Sequence, residues 1–260
     1  MTSCRTKDVR VLPGVESLME AAAERLVTRA AAAIGASGRF TVALAGGSTP
    51  RALYELLVTP RYARRIDWPR VHVFWGDERC VPPDDPASNY RMTREALLDH
   101  VPIPASNFHR IRGENPPVAA AAAYEEGLHR VFSTRDGRPR EASGACFDLV
   151  LLGMGDNGHT ASLFPGLTAV RERERWVVSE YVAEVSMWRV TLTPVILNAA
   201  ADVVFLVSGS KKAATLQQVV EGPYRCDVLP AQAISAPNGC VTWLVDEAAA
   251  ANLKRSRTHG

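Results

Sequence analysis

Five short runs of apolar, often β-branched residues recur along the 260-residue chain, and none of them alternates with polar positions. Runs of this kind are typical of strands in a parallel sheet, because helices cover both faces of such a sheet. The runs are FTVAL (40–44), VHVFW (71–75), FDLVLL (147–152), DVVFLV (202–207) and CVTWLV (240–245). We therefore predict five strands of one mostly parallel sheet.

Segments with apolar residues at helical spacing lie between these runs. They cover residues 17–34, 50–57, 88–101, 119–132, 194–200 and 211–220. The helix at 50–57 is predicted to open with Pro50 at its first position and Thr49 as N-cap. Alternating strands and helices indicate a doubly wound, Rossmann-like α/β fold with helices on both faces. A small antiparallel addition is possible near residues 176–181 and 189–193.

The length suits one large α/β domain. Two turn-rich stretches, GENPPV (113–118) and STRDGRPREASGA (133–145), are short enough for surface loops. We interpret residues 1–260 as a single domain with its core at about 11–245.

Composition narrows the possible functions. A net charge of +2 gives no global electrostatic reason to bind nucleic acid or an anionic membrane. The N-terminus lacks the apolar core of a signal peptide, and no run is long enough to span a bilayer. Five scattered cysteines and six dispersed histidines support neither a disulfide framework nor a metal site. We expect a cytoplasmic protein without metal, nucleic-acid or membrane partners, with a monomer favoured over an oligomer.

Four polar loops follow the predicted strands directly. They are AGGST (45–49), GDER (76–79), GMGDNGH (153–159) and SGSKK (208–212). In a parallel sheet the carboxyl ends of the strands share one edge, where ligands bind in open α/β folds. The sequence therefore predicts a ligand site built from these four loops.

The AGGSTP segment resembles a phosphate-binding loop. Gly46 and Gly47 would let the backbone approach an anion, Ser48 and Thr49 would add hydroxyl donors, and the following helix would supply its positive N-terminus. A simple glycine turn with an N-cap is the alternative. Lys212 could complete a phosphate site as a point charge, although such a lysine is more often a solvated helix end.

Asp77 and Arg79 of the GDER loop are candidates for a substrate-hydroxyl or acid–base contact and for an anion contact, respectively. A structural ion pair is the alternative.

Residues 153–158 match the G-x-G-x-x-G pattern of dinucleotide-binding turns. Such a turn should open a long helix, however, and Pro165 stops this segment after barely one turn. No acid follows at the end of a next strand. We therefore favour a different hypothesis, in which the loop presents His159 for proton transfer and Asp156 and Asn157 orient its ring.

Taken together, the motifs resemble those of the 6-phosphogluconolactonases, which share a superfamily with glucosamine-6-phosphate deaminase. The resemblance covers residues 11–245 approximately. It is carried by LAGGSTPRALYELL, VFWGDERCVPPDDPASNYRM, LLGMGDNGHTASLFPG, RVTLTPVILNAA and SGSKKAATL. It implies hydrolysis of 6-phospho-D-glucono-1,5-lactone to 6-phospho-D-gluconate, the second step of the oxidative pentose phosphate pathway, without a cofactor and with a sugar phosphate as the only partner.

The resemblance also implies roles for individual residues. His159 would be the general base on water, and Asp77 an active-site carboxylate. The sugar phosphate would lie near Ser48, Thr49 and Arg79, with Arg189 and Lys212 as further phosphate ligands; Ser88 and Asn89 match the family's S-N-Y segment. The chain departs from the family at Asn157, where Asp is usual; Asn157 could still orient the ring, and if the carboxylate were needed the activity would be slow or altered.

Two other functions fit parts of the pattern. A sugar-phosphate deaminase of the same superfamily would carry a glutamate shortly after the histidine, in a segment resembling G-H-I-A-F-N-E-P. Here the corresponding run is HTASLFPG, and no acid follows His159 until Glu172. A non-catalytic sugar-phosphate sensor would normally carry an N-terminal DNA-binding domain, and about 38 residues before the first glycine-rich strand are too few for one.

Overall fold

The computed structural model describes residues 8–132 and 147–254. Ten strands lie in these ranges: β1 (Asp8–Leu12), β2 (Phe40–Leu44), β3 (Val71–Trp75), β4 (Asp77–Arg79), β5 (Phe108–His109), β6 (Leu149–Gly153), β7 (Val177–Val182), β8 (Met187–Leu192), β9 (Asp202–Val207) and β10 (Cys240–Asp246). Seven helices accompany them: α1 (Val15–Ser37), α2 (Ser48–Leu57), α3 (Pro60–Ala63), α4 (Asn89–Ala96), α5 (Pro117–Phe132), α6 (Pro194–Leu197) and α7 (Ala213–Glu221).

Seven strands form the main sheet in the order β1-β10-β9-β6-β2-β3-β5, and every neighbouring pair is parallel. This confirms the predicted α/β class. From β2 the chain proceeds to β3 and β5 on one side, and from β6 it proceeds to β9 and β10 on the other. The strand order therefore reverses between β2 and β6, and such a switch point opens a crevice at the carboxyl ends of the strands. The four polar loops emerge at this edge.

A second, antiparallel sheet has the order β4-β8-β7. It confirms the antiparallel addition predicted near 176–181 and 189–193. The GDER segment was expected to be a loop, and here the structure differs. After β3 the chain passes through Gly76 from the main sheet to the second sheet, where residues 77–79 pair with β8. The Gly76 carbonyl accepts the Leu192 N–H at 2.8 Å. Backbone pairing thus fixes three charged side chains that a free loop would leave mobile.

The strand predictions at 40–44, 71–75 and 202–207 agree with the structure to the residue, and those at 147–152 and 240–245 agree to within two. β1 and β5 were missed. β1 is an edge strand with exposed side chains and no continuous apolar run, and β5 has only two residues. Strands of either kind leave little pattern to detect.

The helix predictions need one correction at a site residue. Thr49 is not the N-cap of α2, because the helix begins at Ser48 and Gly47 takes the N-cap position with φ +101°. A glycine accepts this backbone conformation without the strain that a side chain would add. The predicted helix at 88–101 ends at Ala96 and continues as a short 3₁₀ turn, Leu98–His100. The predicted helix at 194–200 ends at Leu197.

Of the two segments interpreted as loops, GENPPV overlaps the start of α5 at Pro117, whereas residues 133–145 lie outside the described ranges.

The core fills the space between the main sheet and its helices. Phe205 and Trp243, on neighbouring strands, stack with ring centroids 3.8 Å apart. Burial of each such side chain stabilises the fold by about 1.5–3 kcal/mol, which makes the sheet a firm base for the loops. No helix in the described part of the chain is long and apolar enough to cross a membrane.

Candidate active site

The loop after β6 is a tight turn closed by its own backbone. Gly155 N donates to the His159 carbonyl at 2.8 Å, and Gly158 N donates to the Gly155 carbonyl at 3.0 Å. A Cβ at Gly155 would lie 2.1 Å from Nδ1 and Cε1 of His159, and one at Gly158 would lie 2.8 Å from Leu229. Gly155 is therefore required by its contact with the imidazole, and Gly158 by its backbone φ of +80°. Of the two sequence hypotheses for this loop, the geometry favours the one in which it presents His159.

Asn157 orients the imidazole of His159. Its Oδ1 atom accepts the backbone N–H of His159 at 3.1 Å and lies 2.6 Å from Nδ1 of the ring. Its Nδ2 atom donates to Oε2 of Glu184 at 2.9 Å. Because Oδ1 can only accept, the ring contact requires the proton on Nδ1. The other ring nitrogen, Nε2, is then left with a free lone pair and can act as a base.

Phe164 covers one face of the imidazole. The two rings stack with centroids 4.1 Å apart and planes 17° from parallel. Burial lowers the pKa of His159 below its ordinary value, and the neighbouring charge of Asp77 opposes this effect only in part. Burial thus favours the neutral imidazole, which is the state that a general base needs.

Asp77 is held beside this histidine as a buried carboxylate. Oδ2 accepts the hydroxyl of Ser162 at 2.5 Å, and the amide of Asn89 donates to the Asp77 carbonyl at 2.9 Å and to Oδ1 at 3.3 Å. Arg189 approaches Oδ2 at 3.7 Å. Asp77 is thus fixed mainly by hydrogen bonds from neutral groups, and its ion pair with Arg189 is long.

Glu78 explains how Asn89 reaches Asp77. Its buried carboxylate accepts the backbone N–H groups of Asn89 and Tyr90 at 2.7 and 2.8 Å and the Ser88 hydroxyl at 3.0 Å, at the start of α4. Burial raises the pKa of Glu78, and these donors counteract the rise. Ser88 and Asn89, which the family motif singled out, are thus structural partners of the GDER segment.

Arg79 and Arg189 lie side by side, because they are register partners across β4 and β8. The guanidinium of Arg79 donates to the Ala87 carbonyl, and that of Arg189 lies 6.0 Å from the centre of the Phe164 ring. The Nε atoms of both arginines are buried and have no hydrogen-bond partner in the described residues. Burial lowers the pKa of Arg189, and the nearby positive charge of Arg79 adds to this effect. The pair concentrates positive charge in the site, and the charge of Arg189 also acts on His159.

The loop after β2 joins the same site through two contacts. A Cβ at Gly46 would lie 1.9 Å from Oδ1 of Asn89, so this position must be glycine for Asn89 to fit. The Thr49 hydroxyl lies 3.0 Å from that of Ser208, in the loop after β9. Ser48 is exposed in the first turn of α2, and no side chain in the described residues caps that turn. The unpaired N–H groups of such a turn favour an anion.

Lys212 comes from the loop after β9 and reaches the loop of the histidine. Its Nζ atom lies 2.6 Å from Oδ1 of Asp156. This ion pair lowers the pKa of Asp156. The ammonium group is thus held against the loop of His159. Lys212 is half-buried, whereas the alternative in the sequence analysis was a solvated helix end.

The structure thus brings all the sequence-predicted site residues to one edge of the sheet. It adds three that the sequence did not single out: Ser162, Phe164 and Glu184. The first two belong to the HTASLFPG motif, so their proximity to His159 was detectable. Glu184 lies 27 residues after Asn157 on another element, and nothing in the sequence links the two. No group of three or more metal-ligating side chains occurs within residues 8–132 and 147–254.

Comparison with known proteins shows which family the chain resembles. The sequence profile of the glucosamine-6-phosphate isomerases/6-phosphogluconolactonases matches residues 13–243. A 6-phosphogluconolactonase of Nostoc sp. is 41% identical to this chain, and the match covers 95% of this chain and 98% of the relative. A 6-phosphogluconolactonase of Haemophilus influenzae is 39% identical, and the match covers 80% of this chain and 85% of the relative. The solved structure of 6-phosphogluconolactonase from Trypanosoma cruzi is 30% identical, with a TM-score of 0.82 over 96% of this chain and 98% of that one. This chain belongs to the glucosamine-6-phosphate isomerase/6-phosphogluconolactonase family.

Proposed function

We propose that this protein hydrolyses 6-phospho-D-glucono-1,5-lactone to 6-phospho-D-gluconate, a step of the oxidative pentose phosphate pathway. The proposal is supported by lactonases as relatives over nearly the whole chain. The single observation that carries it is the imidazole of His159, which Asn157 holds through Nδ1 and which Arg189 approaches closely enough to act on its charge. A lactone carbonyl is already electrophilic, so a fixed base and a bound phosphate suffice for catalysis.

In the proposed reaction, Nε2 of His159 takes a proton from water while the water oxygen attacks the lactone carbonyl. The negative charge that forms on the carbonyl oxygen is stabilised by the nearby positive charge of Arg189. When the tetrahedral intermediate collapses, the bond to the ring oxygen breaks and the imidazolium returns its proton to that oxygen. One water is consumed, and the base is regenerated without a cofactor.

The remaining residues would hold the substrate. We assign the phosphate to the exposed first turn of α2, with Ser48 and Thr49, and to Lys212, which follows β9 on the other side of the switch point between β2 and β6. Arg79 would add its charge from the side of β4. Asp77, fixed by Ser162 and Asn89, would accept a sugar hydroxyl and keep the ring in line with the base.

Phe164 favours a lactonase over the deaminase alternative. The segment typical of deaminases, G-H-I-A-F-N-E-P, has its glutamate five positions after the histidine, and the fifth position here is Phe164, which stacks on the imidazole. Glu172 is the next acid in the chain, and its carboxylate instead accepts the backbone N–H groups of Arg173, Glu174 and Arg175. No carboxylate from this segment therefore reaches His159.

The assay that tests the function uses lactone generated freshly in the cuvette, with hydrolysis followed against a buffer blank, because the lactone also opens without a catalyst. We expect the protein to accelerate lactone opening far above the blank and to release no ammonia from glucosamine 6-phosphate. Release of ammonia, or tight binding of the sugar phosphate without turnover, would overturn the proposal in favour of a deaminase or a sensor.

Replacement of Lys212 with alanine is expected to raise KM for the lactone about tenfold with little change in kcat. A phosphate contact is made equally in the ground and transition states, so its loss weakens binding by about 1.4 kcal/mol without slowing the chemistry. Lys211→Ala is the matched control, since the neighbouring Lys211 is exposed. Steady-state kinetics of both variants give the answer. A fall in kcat at constant KM would instead place Lys212 in the chemical step.

A further inference from the structure

Asn157 leaves the proposed base without a directly bonded carboxylate. The family motif has aspartate at this position, and an amide cannot supply its negative charge. During the reaction His159 would become an imidazolium, and a charged partner of the ring stabilises that state. The first acid of the same loop, Asp156, is engaged by Lys212 instead. A charge that is to act on Nδ1 through hydrogen bonds must therefore do so by way of Asn157.

The orientation of the Asn157 amide is determined by its neighbours. If the amide were turned over, Oδ1 would face the carboxylate of Glu184 and Nδ2 would face the backbone N–H of His159. Both contacts would then join groups of the same kind, acceptor to acceptor and donor to donor. Only the observed orientation satisfies His159 and Glu184 at once, at 2.6 and 2.9 Å.

We propose that Glu184 is a positioning residue for the reaction, which acts through Asn157 to hold the Nδ1–H tautomer of His159 and to supply the charge that Asn157 lacks. This inference rests on the proposed function of His159 as the base. The three side chains form a chain of hydrogen bonds from a carboxylate to an amide to an imidazole. The carboxylate polarises the amide, which makes Oδ1 a stronger acceptor for the ring proton.

The second sheet delivers Glu184 to this place. The residue lies in the 3₁₀ turn Ala183–Val185 that joins β7 to β8, and Ser186 ends the turn in a left-handed conformation with φ 49°. The same hairpin carries Arg189 on β8. A single hairpin therefore carries both a carboxylate and a guanidinium whose charges act on His159.

Charges from several elements act on the ring besides Glu184. Asp77 on β4 raises the pKa of His159, as Glu184 does, whereas Arg189 on β8 and Lys212 before α7 lower it. Asp156 on the same loop also interacts with the ring charge. Because Glu184 is exposed, solvent screens its charge. Its influence is therefore expected to be moderate and to depend on the hydrogen bond through Asn157.

Glu184→Gln separates charge from geometry, because the glutamine oxygen can still accept the Asn157 amide. We expect kcat to fall about threefold to tenfold at the plateau of the pH profile, with KM within about twofold of wild type. The acid limb of kcat/KM, where the base becomes protonated, should move to lower pH by about half a unit, because a charge that favours the imidazolium has been removed. Glu184→Ala should be slower still. Val185→Ala, in the same turn, is the control and should behave as wild type.

Introducing the aspartate of the family motif at position 157 gives a second test, in which the effect of Glu184→Gln on kcat is expected to reverse. In Asn157→Asp the new carboxylate would face that of Glu184 at about the present distance, and the two would repel each other. In this background Glu184→Gln should raise kcat, because the glutamine amide can donate to the introduced carboxylate. The same substitution is thus expected to slow the natural enzyme and to speed the Asn157→Asp variant. A purely structural role of Glu184 would give the same sign in both.

Nitrogen-15 NMR of labelled histidine tests the tautomer without any turnover. Wild type should show His159 protonated at Nδ1 near neutral pH, and Glu184→Ala should show a mixture of both tautomers. This readout separates the two proposals: a protein without lactonase activity that still shows the tautomer shift would refute the function and keep the positioning role. Unchanged tautomer signals in Glu184→Ala, or equal effects of Glu184→Gln in both backgrounds, would overturn the inference.

Discussion

His159→Ala is expected to lower kcat for lactone hydrolysis by about 10²–10⁴-fold, the usual range for loss of a general base. Without the imidazole, water must attack the carbonyl without giving up its proton, and the ring oxygen must leave without receiving one. KM should change little, since the proposed phosphate contacts come from α2 and Lys212. The measurement is steady-state kinetics above the buffer blank, with the melting temperature compared to confirm that the variant folds.

The matched control for this variant is His100→Ala, which removes an exposed histidine that follows α4 and whose ring forms a hydrogen bond with the Glu95 carbonyl. It should retain wild-type kinetics. His159→Ala within about threefold of wild type would contradict the assignment of the base. Water would then have to be activated by another group, such as the buried carboxylate of Asp77 at the same edge of the sheet.

Gly155→Ala is expected to lower kcat by about 10²-fold although it adds a single methyl group. The new Cβ would lie 2.1 Å from two atoms of the His159 ring, and the ring is held by Asn157 on one side and by Phe164 on the other. The imidazole must therefore move, and a displacement of about 1 Å is enough for such a loss. Kinetics and a crystal structure of the variant would check both parts of the expectation.

Gly153→Ala serves as its control, because a Cβ at Gly153, two residues earlier on the same segment, meets nothing within 4 Å. This variant should keep nearly full activity. If both variants lost activity to the same degree, the loss would reflect general weakening of the segment after β6. If both were fully active, the position of the ring would not matter to the reaction.

The parts of the fold that could be predicted from the sequence are those encoded by continuous local patterns. The buried runs at 40–44, 71–75 and 202–207 predicted their strands to the residue, since each is covered on both faces. Edge strand β1 escaped prediction because half its side chains face solvent. Thr49 was assigned as N-cap because threonine favours that position, yet the glycine before Ser48 accepts the left-handed conformation that the turn requires.

The candidate site likewise has features that could be predicted from the sequence and features that could not. Loops that follow parallel strands must meet, so the proximity of Asp77, Asn157, His159 and Lys212 was predictable once the strands were known. The conformation of GDER was not, because β4 forms only by pairing with β8, more than 100 residues later. Glu184 was not predictable for a similar reason: its contact with Asn157 depends on the position of a hairpin turn, and a lone surface glutamate gives no signal.

The reversal of strand order between β2 and β6 has a consequence for how this protein is handled in the laboratory. The first half of the chain contributes Gly46 and Asp77, and the second half contributes His159 and Arg189, so the candidate site is complete only after both halves have docked. Partners so distant in sequence close late and slowly during folding. After dilution from denaturant, recovered turnover is therefore a stricter measure of renaturation than recovered circular dichroism, which a half-assembled sheet would already produce.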